Sequence, residues 1–351
     1  MKKRTMGFVC IVLFFGILLS MTIYIGFGTL FDKEEERPTE FYMNRLFFSD
    51  RSISSLLRLA EYRLLGHVDD GGVISGRSDW LYEVEDSSTG FPLLLDYVSG
   101  SPFSEEETRQ IEELISSRRE YYAEKGIVYL LAVIPSTYTA AGEYLPAYLG
   151  NPTENTRLSV LSRQMAEWGE EGYLDLLASM EAHGDMGDLY NNTEDSINAY
   201  GAFAVYSGII DRLGERGVRT DGYRLTRDRV EFVTHYTDGK QIARRVGLED
   251  VIANKTVSLT NRLSEGYLLS DMTEHCVESN MIEEWLGTEQ RVIVECSRDW
   301  DRIQLIPFFS NTFESVVYES RITDGREAVA AHGADVLIQI IHESELSMLL
   351  E

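Results

Sequence analysis

Eight consecutive residues, Ile127-Val128-Tyr129-Leu130-Leu131-Ala132-Val133-Ile134, form an apolar run between Gly126 and Pro135. The run is too short for an ordinary helix, and it lacks the alternation that would leave one face to water. It therefore predicts a strand covered on both faces, the kind found in parallel sheets between helices. The neighbouring patterns agree. Ser104-Glu105-Glu106-Glu107 is a capping-box start for a helix reaching about Lys125. Periodicity predicts further helices at 155–168 and 198–214. Toward the C-terminus, strands are expected at Arg291–Glu295, Glu314–Tyr318 and Asp335–Ile341, with helices at 301–311 and Arg326–His332 between them. This alternation implies an α/β fold with a mostly parallel sheet flanked by helices.

The rest of the chain is organised around that core. Thr5 to Phe31 carries no charged residue, follows Lys2, Lys3 and Arg4, and precedes Asp32, Glu34, Glu35 and Glu36. A transmembrane helix needs about 20 apolar residues. The charge asymmetry places the N-terminus in the cytoplasm and the remainder outside. A signal peptide cut near Gly26–Gly28 is the alternative. The apolar stretch is longer than an ordinary h-region and no A-x-A-like site follows it, which favours an uncut anchor. Gly16 and Ser20 form a small-xxx-small pair, a common feature of such spans. The expected division is an anchor at 1–31, a tether and entry segment at 32–50, and one extracytoplasmic domain at 51–351. That domain opens with a helix at Ser52–Leu65 and short strands at Gly72–Ile74 and Trp80–Val84. Residues 215–290 read as a less regular insertion, with a β-like stretch at Val230–Thr237 and a helical one near Lys240–Val246.

The formal net charge is −26, despite the basic N-terminus. Such a domain repels nucleic acid, which is excluded as a partner. Of the three cysteines, Cys10 lies in the apolar stretch. Cys276 and Cys296 are left as either a disulfide or two buried thiols. No metal-ligand spacing exists among them and no cofactor motif is present.

Several segments, in order, resemble one family. They are Phe41-Tyr42-Met43-Asn44-Arg45-Leu46-Phe47-Phe48-Ser49-Asp50-Arg51, Gly72-Val73-Ile74-Ser75-Gly76-Arg77-Ser78-Asp79-Trp80-Leu81-Tyr82, and Gly126-Ile127-Val128-Tyr129 through Pro135 to Tyr144-Leu145-Pro146. Asp238-Gly239-Lys240-Gln241-Ile242-Ala243-Arg244-Arg245-Val246-Gly247-Leu248 and Ala334-Asp335-Val336-Leu337-Ile338-Gln339-Ile340-Ile341 complete the set. Together they resemble the SGNH-hydrolase-like family of AlgX and AlgJ, especially its DHHW branch. The resemblance implies an SGNH-like α/β fold and a role in O-acetylation of secreted or cell-surface polysaccharide. It also implies a membrane-bound O-acyltransferase as partner, with polysaccharide as a second ligand.

Acyl transfer through serine needs a nucleophile, a base to take its proton and a carboxylate to orient the base. The resemblance places base and carboxylate in Thr193-Glu194-Asp195-Ser196-Ile197-Asn198-Ala199-Tyr200-Gly201-Ala202. With Gly201-Ala202 fixing the register, Glu194 stands at the Asp position and Ser196 at the His position. A hydroxyl cannot serve as a base near neutral pH. An ungapped count back from Pro307-Phe308-Phe309 puts Arg298-Asp299-Trp300 on the family's G-D-S, with Trp300 at the serine. Reading Glu295-Cys296-Ser297 as the motif makes Ser297 the hydroxyl instead. Either way the Ser–His pair is absent, which implies a catalytically degenerate member. His67, His183, His235, His275, His332 and His342 lie elsewhere in the sequence, and a lone histidine is more often structural than a base. Glu194, Asp195 and Asp299 could alternatively form an acidic cation site, although adjacent acids are more often solvated. Trp80, Tyr82, Tyr129, Tyr138 and Tyr144 could stack on sugar rings, but core packing is the commoner use of such residues.

Overall fold

The computed structural model describes Tyr62 and residues 72–220, 224–260, 268–273, 276–280 and 288–351. The expected anchor at Thr5–Phe31, the tether, the Ser52–Leu65 helix except Tyr62, His67 and His275 lie outside the described residues. Among the described residues no helix is long and apolar enough to cross a membrane.

The described residues from 72 onward begin with a hairpin of β1 (Val73–Ser75) and β2 (Leu81–Glu83). Next come α1 (Leu93–Ser99), α2 (Glu105–Ala123), β3 (Val128–Ile134), α3 (Thr137–Ala140), α4 (Arg157–Trp168), β4 (Tyr173–Asp175), α5 (Leu177–Ala182) and α6 (Ala199–Glu215). An antiparallel pair, β5 (Phe232–Asp238) and β6 (Ala253–Leu259), flanks α7 (Gln241–Arg245). The final portion comprises β7 (Leu268–Thr273), β8 (Cys276–Asn280), β9 (Thr288–Cys296), α8 (Asp299–Ser310), β10 (Phe313–Glu319), α9 (Arg326–His332) and β11 (Val336–His342). A run of 3₁₀ turns, Glu343–Leu350, follows β11.

The main sheet has the order β4-β3-β11-β9-β10-β8-β7. Its first five strands are mutually parallel, and β8 and β7 form an antiparallel edge. The apolar octet predicted as a strand is β3, paired in parallel on both sides. Its alternate side chains serve two cores. Leu130, Ala132 and Ile134 face α6 and α8, whose Phe203, Tyr206, Phe308 and Phe309 fill that layer. Tyr129, Leu131 and Val133 face α2, α4 and the C-terminal run, with Ile111, Leu161 and Leu346 among their neighbours. Burying each such side chain contributes about 1.5–3 kcal/mol, so two-sided coverage explains why the run contains no charge.

The helix starts follow from local chemistry. Ser104 and Glu107 cap α2 reciprocally, Thr156 caps α4 by accepting from Ser159 N, and Asn198 caps α6 by accepting from Tyr200 N and Gly201 N. The less regular stretch at 215–290 contains the β5–β6 pair and the β7–β8 hairpin, which joins the sheet edge through the pairing of β8 with β10. Cys296 is a buried free thiol, and burial pushes its pKa well above the usual thiol range. The side chain of Cys276 lies outside the described residues.

The first turn of α6 packs directly on the preceding loop. A Cβ on Gly201 would collide with the Leu189 carbonyl oxygen and stand 2.9 Å from Ile197 Cβ. Gly201→Ala is expected to cost about 1–3 kcal/mol in urea unfolding. Gly184→Ala, with nothing near its Cβ, should stay within about 0.5 kcal/mol of the parent. An unchanged midpoint for Gly201→Ala would mean that α6 does not bear on this loop.

Candidate functional site: a buried arginine at the strand ends

β3, β11 and β9 are neighbours, so their C-terminal ends emerge side by side. Such ends are where open α/β sheets place ligands and catalytic groups. Ser136 and Thr137 follow β3, His342 ends β11 and is followed by Glu343, Ser344 and Glu345, and Ser297 and Arg298 follow β9. Two loops complete the ring: Asp86 beyond β2, and residues 191–198 before α6.

The 191–198 loop is fixed by its own amides and hydroxyls. Tyr190 bridges Ile197, and Asn191 N donates to Ser196 O at 3.0 Å. Asn192 Nδ2 donates to the Asp79 and Ala253 carbonyls, and Thr193 donates to Asn254 Oδ1 at 2.8 Å. The polar run Asn-Asn-Thr-Glu-Asp-Ser thus forms a buried, largely satisfied knot that sets the direction of Asp195.

Arg298 is the centre of the site. Its Nη1 donates to the Asp195 carbonyl at 2.7 Å and lies 3.3 Å from Asp195 Oδ2. Its Nη2 donates to Asp86 Oδ2 at 2.5 Å and to Ser344 Oγ at 2.8 Å, and its Nε lies 3.6 Å from Glu345 Oε1. Ser344 Oγ donates to Asp86 Oδ2 at 2.6 Å. Thr137 N donates to Asp195 Oδ1 at 3.1 Å, and Ile197 N donates to the buried Asp301 carboxylate at 3.1 Å. Ser136 N and Thr139 Oγ1 donate to Glu343.

The proton affinities reflect one cation among many acids. Burial works against ionised Asp86 and Asp195, but the Arg298 guanidinium outweighs it at Asp86, and His342 together with Arg298 outweighs it at Asp195, so both lie below the usual carboxylate range. Asp301 lacks such direct contact, and burial raises it to about 7. Burial likewise raises Glu343 to about 7. Burial, reinforced by Arg298, pushes His342 down to about 4, so its ring is neutral at neutral pH.

The sequence-derived residues divide. Ser297, Asp195 and His342 meet at this centre. The sheet brings His342 to the 193–198 loop despite its distance along the chain, placing Nε2 at 3.5 Å from Asp195 Oδ2. His342 is not a base for Ser297, however. Its Nδ1 lies 3.0 Å from Ser344 Oγ, and the Ser297 hydroxyl donates to Glu345 Oε2. Glu194 is half-buried and raised by burial. Ser196 accepts from Asn191 Nδ2 at 3.0 Å. Trp300 is 61% exposed, and Asp299 pairs with Arg302 at the surface, so neither joins the centre.

The expected aromatic residues are mostly core. Trp80 stacks on Tyr144 with centroids 4.6 Å apart, and Tyr82, Tyr129 and Tyr138 are buried. Arg298 was named from sequence only at the glycine position of the family motif, and Asp86, Asp301 and the Glu343–Glu345 run were missed. The position of the latter, directly after an apolar terminal strand, was the available signal.

Ser344, His342 and Asp195 form a hydroxyl–imidazole–carboxylate chain without the properties of a nucleophile. Ser344 and His342 are each 1% exposed, and the hydroxyl proton is committed to Asp86. Asp86, Asp195 and His342 also place one ligand atom each within 4.8 Å of one another. Arg298 already supplies the positive charge there, so these residues do not make a fitting metal site.

No protein-family model and no curated protein sequence matches the chain. Solved structures do. Bacillus cereus PatB1 aligns over 78% of this chain and 96% of its own, with a TM-score of 0.52 and 12% identity. The O-acetyltransferase domain of Pseudomonas putida AlgJ aligns over 79% and 92%, at 0.50 and 16%. A DHHW family protein from Eubacterium siraeum aligns over 78% and 94%, at 0.50 and 9%. At these identities the likeness is one of fold, and the fold is the α/β architecture of PatB1, the AlgJ domain and the DHHW protein, as anticipated from the sequence.

Arg298→Met strands buried carboxylates without their cation and should cost about 3–5 kcal/mol at neutral pH. The deficit should shrink in acid, where those carboxylates protonate. An equal deficit at all pH values would show that Arg298 acts by packing. Asp301 gives a second, opposite signature. Its folded pKa of about 7 exceeds the unfolded value of 3.8, so the native state holds a proton that the unfolded chain has released. That contribution declines as pH rises through the window. Parent stability should therefore fall relative to Asp301→Asn by on the order of 3 kcal/mol between about pH 5 and about pH 8. Parallel curves for the two proteins would refute the assignment.

Proposed function

We propose that this protein is a membrane-anchored, outward-facing SGNH-like subunit in the O-acetylation of secreted or cell-surface polysaccharide. In this reading it acts by binding or scaffolding beside a membrane-bound O-acyltransferase, not through its own serine. The observation that carries the reading is Arg298. It lies at the strand-to-helix elbow where the resemblance places the nucleophile, and it is tied there by ion pairs to Asp86, Asp195 and Glu345. The fold shared with the AlgJ O-acetyltransferase domain supports the setting. The charge-free segment Thr5–Phe31 supports the location.

One contact favours a second reading. The Ser297 hydroxyl donates to Glu345 Oε2, so Ser297 with Glu345 as base is the alternative for an active acyltransferase or esterase. Acetate release from a chromogenic acetyl ester separates the two. The purified protein should not exceed buffer, and Ser297→Ala should change nothing. Turnover lost in both Ser297→Ala and Glu345→Gln would establish the enzyme reading. For the scaffold role, detergent extraction with the protein as bait should co-purify a membrane O-acyltransferase, and repeated recovery without one would count against it.

A further inference from the structure

The antiparallel pair β5–β6 has two outer edges, and the fold treats them differently. Backbone phase shows where each edge points. Thr260 N donates to Glu231 O, which continues the β5–β6 register and makes the odd-numbered residues of β5 the hydrogen-bonded partners of β6. In an antiparallel pair the residues between these turn their N–H and C=O groups outward. Phe232, Thr234 and Tyr236 therefore present their backbone away from β6. On β6 the outward groups are taken up. Lys255 N donates to Asn192 Oδ1 at 2.9 Å, and Asn192 Nδ2 donates to the Ala253 carbonyl at 3.0 Å. Among the described residues nothing does this for Thr234 or Tyr236.

An edge left open in this way is a template for a further strand, and proteins commonly blunt it by short length, lysine, proline, a bulge or a cover. β4, at one edge of the main sheet, has three residues. β5 has seven, Phe-Val-Thr-His-Tyr-Thr-Asp, with no lysine or proline and an unbroken register. Val233, Thr234 and His235 are all exposed. Thr234 shares a face with Phe232, which packs on Tyr200, and opposite it on β6 Val257 is buried. That face is thus covered as far as β6 and open at Thr234.

We infer that the free edge of β5 pairs with β5 of a second copy of this chain, antiparallel about a two-fold axis at Thr234. The interface is separate from the Arg298 centre and does not depend on the role proposed for it. The strand's own sequence fits the edge. The axis sets outward residues against outward residues, Thr234 on Thr234 and Phe232 on Tyr236 of the copy, so each pair exchanges both of its N–H···O bonds. Side chains then form aromatic and Thr–Thr pairs on one face and Val233–His235 pairs on the other, combinations that stabilise neighbouring strands. Asp238, the one acid in the strand, falls at opposite ends of the ribbon, about 27 Å from its copy. That separation exceeds the reach of screened repulsion, which matters in a chain of net charge −26. Moving the axis to His235 would set His235 against itself and Phe232 against Asp238, and these pairings would be lost.

The full-length protein in detergent, followed by sedimentation velocity, should be a dimer at micromolar concentration. Thr234→Lys and Thr234→Glu each set like charges directly across the axis and should weaken the dimer about tenfold or more. Their circular dichroism and melting should stay those of the parent, because Thr234 is exposed in the single chain. Mixing the two variants should restore a dimer, since only an axis at Thr234 brings residue 234 against residue 234. A parent that stays monomeric at about 100 μM, or a dimer indifferent to both substitutions, would overturn the inference. Two weakened variants that fail to recover on mixing would overturn the axis on which it rests.

Discussion

The guanidinium of Arg298 ties together segments that otherwise arrive from different parts of the fold. Asp86 comes from the turn after the β1–β2 hairpin, Asp195 from the loop before α6, and Ser344 and Glu345 from the run after the last strand. Removing an ion from water costs several kcal/mol, and that cost is offset only when partners surround it with good geometry. Arg298 meets this condition with two close carboxylates, a third at longer range, a carbonyl and a hydroxyl. One cation cannot satisfy every acid nearby. Asp301 and Glu343 lie outside direct contact with it and hold their protons up to about pH 7. The unequal affinities of these carboxylates thus follow from one side chain's reach.

The same arrangement explains why the right kinds of atom do not make a serine triad. A nucleophilic serine needs its hydroxyl hydrogen directed at a base whose pKa lies near the working pH. Ser344 directs its hydrogen to Asp86, which the guanidinium keeps a weak base. His342, with a pKa of about 4, is a poor proton acceptor. Proximity of Ser, His and Asp is therefore insufficient. The direction of each proton and the sign of the neighbouring charge decide what the group can do.

Much of the scaffold was legible in the sequence because it rests on local rules. The octet ending at Ile134 became β3, the Ser104 capping box opened α2, and Arg326–His332 is a helix with those bounds. Less was legible where pairing is non-local or short. β4 has three residues, β6 pairs across a helix with β5, and the β7–β8 hairpin joins the sheet only through β10, about 40 residues further along the chain. The site was legible in part. The 193–198 loop and the β9–α8 elbow, both singled out from the sequence, meet in the fold through Arg298 and Asp195. Sequence spacing could not show that Asp195, rather than Glu194, turns inward, because that is set by Thr193 bonding to Asn254. It could not show Trp300 facing solvent either, since one residue of slippage at an elbow rotates every side chain that follows. His342 seemed distant because the register of β11 against β3 is not written in either strand alone.

The elbow concentrates positive charge at one helix end. The N-terminus of a helix presents unpaired N–H groups and a positive potential, which suits a bound or developing anion. In this chain a guanidinium stands at the N-cap of α8, adding full positive charge to that end. Such a place attracts anions strongly, and the protein's own Asp86, Asp195 and Glu345 supply them. Carboxylates fixed within the fold compete at a high effective concentration, so a carboxylate or oxyanion arriving from solution must displace an already folded partner. The electrostatics of an anion site are thus present but internally satisfied, and they hold three strand ends and two loops in register.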